Sequence, residues 1–439
     1  MSEGQGSGPA MAEGLHFLST LGMSVIRLGL DRIEQALLAV GSPERDYRIL
    51  HVAGTNGKGS TCAFAARCLA AQGYRVGLYT SPHLVRINER IQINGEDISD
   101  RRLDERVSEV LSRYPEAKQT PAPLTFFEFT TLVALWHFSR ERVDVAVLET
   151  GLGGRLDATT AAAPTVTAIT PIALDHLDYL GNDVRAIARE KAGILAPEIP
   201  SAISRQSAEA MAVIEEIAAE RKAPLYLEGR DFQLRPSGGG EFEYRGLNVK
   251  VDDVRLSLRG PHQIQNAAVA LASLELLAPK LPISVESMRL GIATTRWPGR
   301  LEEVGSSPTV VLDGAHNPLG VDTLLIALDA LYPGRRVHLV FGVLADKDYH
   351  SMLRTLFVRC ASASLAPLKT PRALPPEKYL VEARSLCPRT TAYDTVAGAL
   401  QAAKANALRE DLVVCTGSLF LVGAVRELVF ARPGDAPAP

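Results

Sequence analysis

Between residues 51 and 60 the chain reads HVAGTNGKGS. Gly54, Gly57 and Gly59 let backbone N–H groups converge on a phosphate, and Lys58 can reach its outer oxygens. The usual phosphate loop, G-x-x-x-x-G-K-[ST], is only approximated: Val52 replaces the first glycine, and Gly59 stands where a metal-binding hydroxyl is expected, with Ser60 one place late. A glycine turn capped by Lys58 is the plainer alternative. If nucleotide binds here, other groups must hold magnesium, and they belong at the C-terminal ends of neighbouring parallel strands. Ser81 follows RVGLY, Glu149 ends DVAVLE, and His176 follows TVTAIT. Each alone reads as a cap or an ordinary polar residue; three at equivalent strand ends suggest a metal site.

Other reactive residues are scattered. Lys191 lies in REKAGI, where an exposed, salt-bridged lysine is the plain reading, although burial would lower its pKa and free the amine. VVLDGAHNP carries Asp313, His316 and Asn317; Asn317 before Pro318 is also a good helix cap. FGVLADKD supplies Asp346, Lys347 and Asp348. Arg300, in RWPGR, is placed to clamp phosphates.

These positions require strand ends to hold them. RILHVA, RVGLY, DVAVLE and TVTAIT are short apolar runs separated by helical stretches at 58–72 and 126–139, which predicts a parallel sheet covered on both faces. Residues 226–258 alternate around a glycine-rich turn and predict an antiparallel hairpin, followed by a helix over 262–277. Pro298 and Gly299 make 296–300 a hinge. Beyond it TVVLDG, a helix over 318–331, RVHLVFGV and DLVVCTG with a last helix predict a second α/β unit. The expected organisation is a disordered tail (1–14), a P-loop parallel-sheet ATPase domain (15–297), a smaller Rossmann-like α/β domain (298–430) and a second tail (431–439).

Bulk properties narrow the classes. A chain of 439 residues fits two domains better than one. A net charge of -3 gives no case for non-specific nucleic-acid binding. Five cysteines without a C-x-x-C pair point to reduced thiols and a cytoplasmic protein. No basic segment precedes an apolar run near the N-terminus, so no signal peptide is expected. LVVCTGSLFLVGAV is interrupted by Thr416-Gly417-Ser418 and is too short to span a membrane.

The motifs GTNGKGS, TSPHL, RINERI, GLGGRLDAT, DHLDYLG, EKAGI, WPGRLE, LDGAHNP and TGSLFLVG occur in order over roughly residues 25 to 428. Together they resemble the folylpolyglutamate synthases, in particular the bacterial type that is also a dihydrofolate synthase, within the muramyl-peptide ligase superfamily. The resemblance implies ATP-dependent addition of L-glutamate to folates and dihydropteroate through an acyl phosphate, with ATP as co-substrate and two Mg²⁺ sites. It implies ATP contacts at Asn56, Gly57, Lys58, Gly59, Ser60, Asn266, Arg300 and Asp313. Ser81 and Glu149 would hold one Mg²⁺ and His176 the other. Lys191 matches a carbamylated lysine, and His316 lies near the glutamate or phosphate site, so Lys58, Lys191 and His316 are the catalytic candidates. The pterin segments correspond to Leu28, Gly29, Leu30 and Asp31, to Thr125, Phe126, Phe127 and Glu128, and to Leu156, Asp157 and Ala158. Asp157 would accept from pterin N–H groups and Phe127 pack on the ring, although the phenylalanines also fit a plain helix core. Thr160 replaces the asparagine usual after LDAT. Small molecules are the expected partners, with no nucleic acid or membrane, and the chain is expected to be monomeric. Rival readings are a muramyl-type amino-acid ligase, a non-ligating nucleotide switch, and a dehydrogenase; the last is disfavoured by the lack of G-x-G-x-x-G after a strand.

Overall fold

A computed structural model describes residues 13–22, 25–119 and 123–430. Its first sheet contains β1 (Arg48–Ala53), β2 (Val76–Tyr79), β3 (Ile91–Ile93), β4 (Glu96–Asp97), β5 (Val145–Glu149), β6 (Val166–Ile169), β7 (Ser201–Ile203) and β8 (Leu225–Leu227). Their order is β4-β3-β2-β5-β1-β6-β7-β8. The six strands from β2 to β8 are parallel, while β3 and β4 add an antiparallel edge that the expected all-parallel sheet lacked. The β3–β4 turn is made by Asn94 and Gly95, both at positive φ, a pairing that matches the twist of a tight hairpin.

The central strands are apolar on both faces because both are covered. β5 is buried throughout. The helix Lys58–Ala71 packs on one face together with His262–Leu277 and Val285–Thr294, and the helix Phe126–Arg140 packs on the other. Thr125 and Glu128 start the latter helix with a reciprocal capping box. The expected hairpin at 226–258 is a three-stranded meander, β9 (Gln233–Gly238), β10 (Glu241–Arg245) and β11 (Lys250–Val254), with buried Leu234, Tyr244 and Val251 joining the same core.

A separate sheet and core follow. β12 (Glu302–Ser306), β13 (Thr309–Leu312), β14 (Val337–Phe341), β15 (Cys360–Leu365), β16 (Thr390–Ala392) and β17 (Leu412–Thr416) take the order β12-β13-β17-β14-β15-β16, with only β12 antiparallel. Its helices include Pro318–Leu331, which starts at N-cap Asn317, and Leu419–Phe430.

The N-terminal tail expected at 1–14 needs correction at its inner end. Glu13 and Gly14 open a helix (Glu13–Thr20), and the Gly14 and Leu15 N–H groups donate to Asp104. Residues 1–12 and the tail at 431–439 lie outside the described residues. Among the described residues no helix is long and apolar enough to cross a membrane.

Candidate active site

The strand ends of the two large sheets face one another across a cleft of about 1150 Å³. β1 delivers the glycine loop between its β5 and β6 neighbours. Gly54 and Gly57 adopt φ of +145° and +91°, and the helix from Lys58 presents its free N–H groups to the cleft. Side chains are excluded here by contact as well as conformation: a Cβ on Gly54 would strike Thr170, and one on Gly57 would strike Asn266. The lysine folds back, Lys58 Nζ donating to the Gly54 and Thr55 carbonyls, both at 3.2 Å. All the residues expected around ATP, from Asn56 to Ser60 with Asn266, Arg300 and Asp313, line this cleft.

Ser81 and Glu149 come together through the serine backbone. The Ser81 N–H donates to Glu149 Oε2 at 3.2 Å, and Glu149 Oε1 lies 3.9 Å from Lys58 Nζ. Burial pushes the Glu149 carboxyl pKa up, opposed by Lys58. A buried carboxylate beside a serine and a phosphate loop suits Mg²⁺, which takes hard oxygen ligands and shares them with substrate phosphates. His176 stands apart, at the N-cap of the short helix Leu177–Leu180, and burial lowers its pKa to about 3, leaving a neutral imidazole. Among the described residues no group of three or more His, Cys, Asp or Glu side chains forms a metal cage. Any second ion here would therefore draw most of its oxygens from bound anions.

Lys191 is not the exposed, salt-bridged lysine of the plain reading. Its neighbour Glu190 pairs with Arg155 at 2.7 Å, while Lys191 is 4% exposed and donates to the Gly54 carbonyl at 2.8 Å. Burial, with Lys58 nearby, brings its pKa down to about 7.

Asp175 joins the two halves. Its Oδ1 accepts from Lys347 Nζ at 2.7 Å, and its Oδ2 accepts from Asn317 Nδ2 at 3.1 Å. Asn317 also exchanges amide hydrogen bonds with Asn56 at 3.0 and 3.2 Å while capping its own helix through Gly320 N–H. Asn317 thus caps its helix, as expected, and also reaches across the cleft. His316 Nδ1 faces the Gly314 carbonyl at 2.7 Å, so it carries the proton, and Nε2 points toward Asp175 Oδ2 at 3.8 Å. Burial lowers the His316 pKa to about 4. Asp313 accepts from the Leu301 and Ala315 N–H groups and fixes the turn beside Arg300.

The other end of the cleft is apolar and aromatic. Leu28, Thr125, Phe126, Phe127, Glu128, Leu156, Asp157 and Ala158 line it, whereas Gly29, Leu30 and Asp31 do not. Phe129 is core and Phe126 is nearly so, but Phe127 is half-buried and lies over Gly151, where a Cβ would meet its ring. Glu128 serves the helix cap and pairs with Arg32 at 2.8 Å. Asp157 already accepts four hydrogen bonds, from the Gly151, Leu152 and Thr159 N–H groups and the Thr159 hydroxyl. Its first task is to hold the glycine loop, and a pterin N–H could join only by displacing one of those donors. Thr160 Oγ1 donates to the Gly154 carbonyl at 2.7 Å, a fastening of the same loop that a hydroxyl supplies without the usual amide.

Sequence reasoning missed Asp175. Its signals were its place directly before His176 and at the head of DHLDYLG, and its importance comes from partners 142 and 172 positions away.

Comparison with known proteins agrees with this geometry. The Mur ligase middle domain matches residues 52–274, and the Mur ligase glutamate ligase domain matches residues 299–419. The chain is 38% identical to the folylpolyglutamate synthase of Lacticaseibacillus casei, over 90% of this chain and 93% of that one. It is 36% identical to the dihydrofolate synthase/folylpolyglutamate synthase of Escherichia coli, over 96% of each. The structure of E. coli FolC in complex with DHPP and ADP superposes with a TM-score of 0.87 at 36% identity, covering 96% of this chain and 98% of that one. A Mycobacterium tuberculosis folylpolyglutamate synthase complexed with ADP and AMPPCP gives 0.87 at 33% identity, covering 96% and 99%.

Proposed function

Because the chain belongs to the folylpolyglutamate synthase/dihydrofolate synthase family of Mur ligases, we propose that its cleft performs one reaction on two acceptors. It is an ATP-dependent ligase that adds L-glutamate to folates and to dihydropteroate. The acceptor carboxylate attacks the γ-phosphorus of ATP, ADP leaves, and an acyl phosphate forms. The glutamate amine then attacks the acyl carbon, loses a proton, and the tetrahedral adduct expels inorganic phosphate to leave an amide.

Bringing these anions together requires cations and N–H donors fixed in advance. Gly57, Lys58, Gly59 and Ser60 cradle the phosphates, and Asn56, Asn266, Arg300 and Asp313 complete the nucleotide site. Ser81 and Glu149 would hold one Mg²⁺ and His176 would face a second, which when bound would offset phosphate charge. Lys191 takes up CO₂ as its carbamate, losing a proton; this replaces a cation beside Lys58 with an anion suited to ordering a metal. His316 and Lys347 serve the glutamate and phosphate side. Phe127 packs on the pterin, with Leu28, Gly29, Leu30, Asp31, Thr125, Phe126, Glu128, Leu156, Asp157 and Ala158 forming or supporting its wall.

The domains divide at 297/298, and 296–300 acts as the hinge that closes the cleft. A reducing cytoplasmic setting is supported by the five free cysteines, and a monomer is the simplest state for a site built within one chain. The observation that carries the reading is the convergence of the glycine loop, Glu149 and Lys191 with Asp313 and His316 around a single cleft. The muramyl-type and nucleotide-switch rivals are disfavoured by full-length likeness to folate enzymes.

The test is incubation of the purified chain with Mg-ATP, glutamate and either dihydropteroate or tetrahydrofolate, followed by product mass and phosphate release. Gain of one glutamyl unit is expected. ATP hydrolysis without acceptor or glutamate dependence would favour the switch.

A further inference from the structure

Arg90 has no place in the chemistry described so far, yet it is 8% exposed and lines the cleft. Its backbone is tied to the metal end: the Thr80 N–H, one residue before Ser81, donates to the Arg90 carbonyl at 3.1 Å. Its side chain reaches the aromatic end, with Cζ 5.3 Å from the Phe126 ring centroid and the Tyr79 hydroxyl beside the guanidinium. Tyr79 in turn lies 6.0 Å, ring to ring, from Phe127.

A guanidinium this buried normally has a carboxylate partner, because an uncompensated charge in the interior is costly. Among the described residues Arg90 forms no ion pair. Both Glu89 oxygens are taken by the Leu84, Val85 and Arg86 N–H groups, and Glu149 is engaged by Ser81 and Lys58. The neighbours that do bond it are neutral, Tyr79 and His83: Arg90 Nε donates to His83 Nδ1 at 2.9 Å, and burial next to Arg90 keeps the His83 pKa down at about 4. With the Tyr79 hydroxyl as its other polar neighbour, the guanidinium keeps further N–H groups for a ligand.

We infer that Arg90 binds the acceptor carboxylate, the benzoate of dihydropteroate or the terminal carboxylate of a folate tail, and aims it from the aromatic end of the cleft toward the γ-phosphate. The inference rests on the ligase reading above. An acceptor whose ring lies against Phe127 and whose carboxylate must reach the Ser81–Glu149 end passes Arg90, among the described residues the one buried arginine that lacks an acid. The planar fork of arginine fits a carboxylate with two parallel hydrogen bonds, a geometry lysine cannot copy.

The experiment compares the dissociation constants of dihydropteroate and its primary carboxamide, measured with magnesium and a non-hydrolysable ATP analogue. Arg90→Gln is expected to weaken the acid by about ten- to a hundredfold, the range for losing a charged hydrogen-bonded contact. The amide should stay within about twofold of wild type. Arg90→Lys should fall between. Equal weakening of acid and amide would reduce Arg90 to a support for Phe126, and an unchanged acid affinity would dismiss it altogether. Thermal melting verifies folding; if the Gln variant melts early, the Lys variant's acid-to-amide ratio decides, an unchanged ratio overturning the proposal. Wild type is assayed for glutamyl product in parallel. Failure there rejects the ligase reading, whereas normal wild-type turnover with an unchanged ratio rejects only the role of Arg90.

Discussion

Carbon dioxide should be a requirement for full activity. Carbamate formation needs a neutral amine. An ordinary lysine at pH 7 is neutral in only about one molecule in 2,500. Lys191, brought down to about 7 by burial, is neutral in roughly half. The folded chain therefore supplies about a thousandfold more reactive amine at this position than a surface lysine would. Initial rates in CO₂-depleted buffer should be low, should recover on adding bicarbonate, and at limiting CO₂ should rise with pH through about 7 and flatten above it. Stability gives a second reading of the same group. Between about 7 and 10.5 the unfolded chain holds a proton on Lys191 that the folded chain does not, so stability rises with pH across that window and the deficit is complete below it. The distance from 10.5 to about 7 corresponds to roughly 4–5 kcal/mol, less about 1 kcal/mol for the hydrogen bond to Gly54. Lys191→Met should thus be inactive yet melt higher than the CO₂-free wild type at pH 7. Rates indifferent to CO₂, together with a methionine variant of unchanged stability, would refute the argument.

Other variants probe the remaining parts. Ser81→Ala and Glu149→Ala should each lower turnover by about a hundredfold or more while circular dichroism and melting stay close to wild type; wild-type rates would reject the metal assignment. Asp175→Asn leaves Lys347 buried without its counter-charge, at a cost of about 3–5 kcal/mol, and should open the cleft. Small-angle scattering would then show a larger radius of gyration, and an unchanged radius would count against Asp175 as the cross-cleft tie. The Asp175 carboxyl is held well below the usual carboxylate range, chiefly by Lys347 against its burial, so this tie should persist at neutral pH and weaken only below about pH 4. Gly151→Ala pushes a methyl into the Phe127 ring and should raise KM for the pterin acid by about tenfold with KM for ATP unchanged; equal changes in both would mean general damage.

Local rules made much of this molecule legible from sequence. The apolar strands RILHVA and DVAVLE and the glycine spacing of the phosphate loop appear where periodicity placed them, because a buried strand and a tight turn constrain their own residues. The helices at His262–Leu277 and Pro318–Leu331 also match their expected bounds. The β3–β4 hairpin was missed although Asn94-Gly95 announces it, since strands of three and two residues are too short for alternation to be read. The burial of Lys191 was hidden by charged neighbours that turn elsewhere. Asp175 and Arg90 gain their meaning only from tertiary placement, one from a partner across the cleft and the other from the lack of one. Asp157 was expected to face the pterin, and its four hydrogen bonds to the glycine loop could not be read from spacing.

Oxygen-isotope transfer tests the central claim most directly. Dihydropteroate labelled with ¹⁸O in its carboxylate is incubated with the chain, Mg-ATP and glutamate, and the released phosphate is analysed by mass. Attack of the carboxylate on ATP predicts one labelled oxygen in each phosphate formed per amide. Unlabelled phosphate accompanying normal amide formation would contradict an acyl phosphate assembled in this cleft.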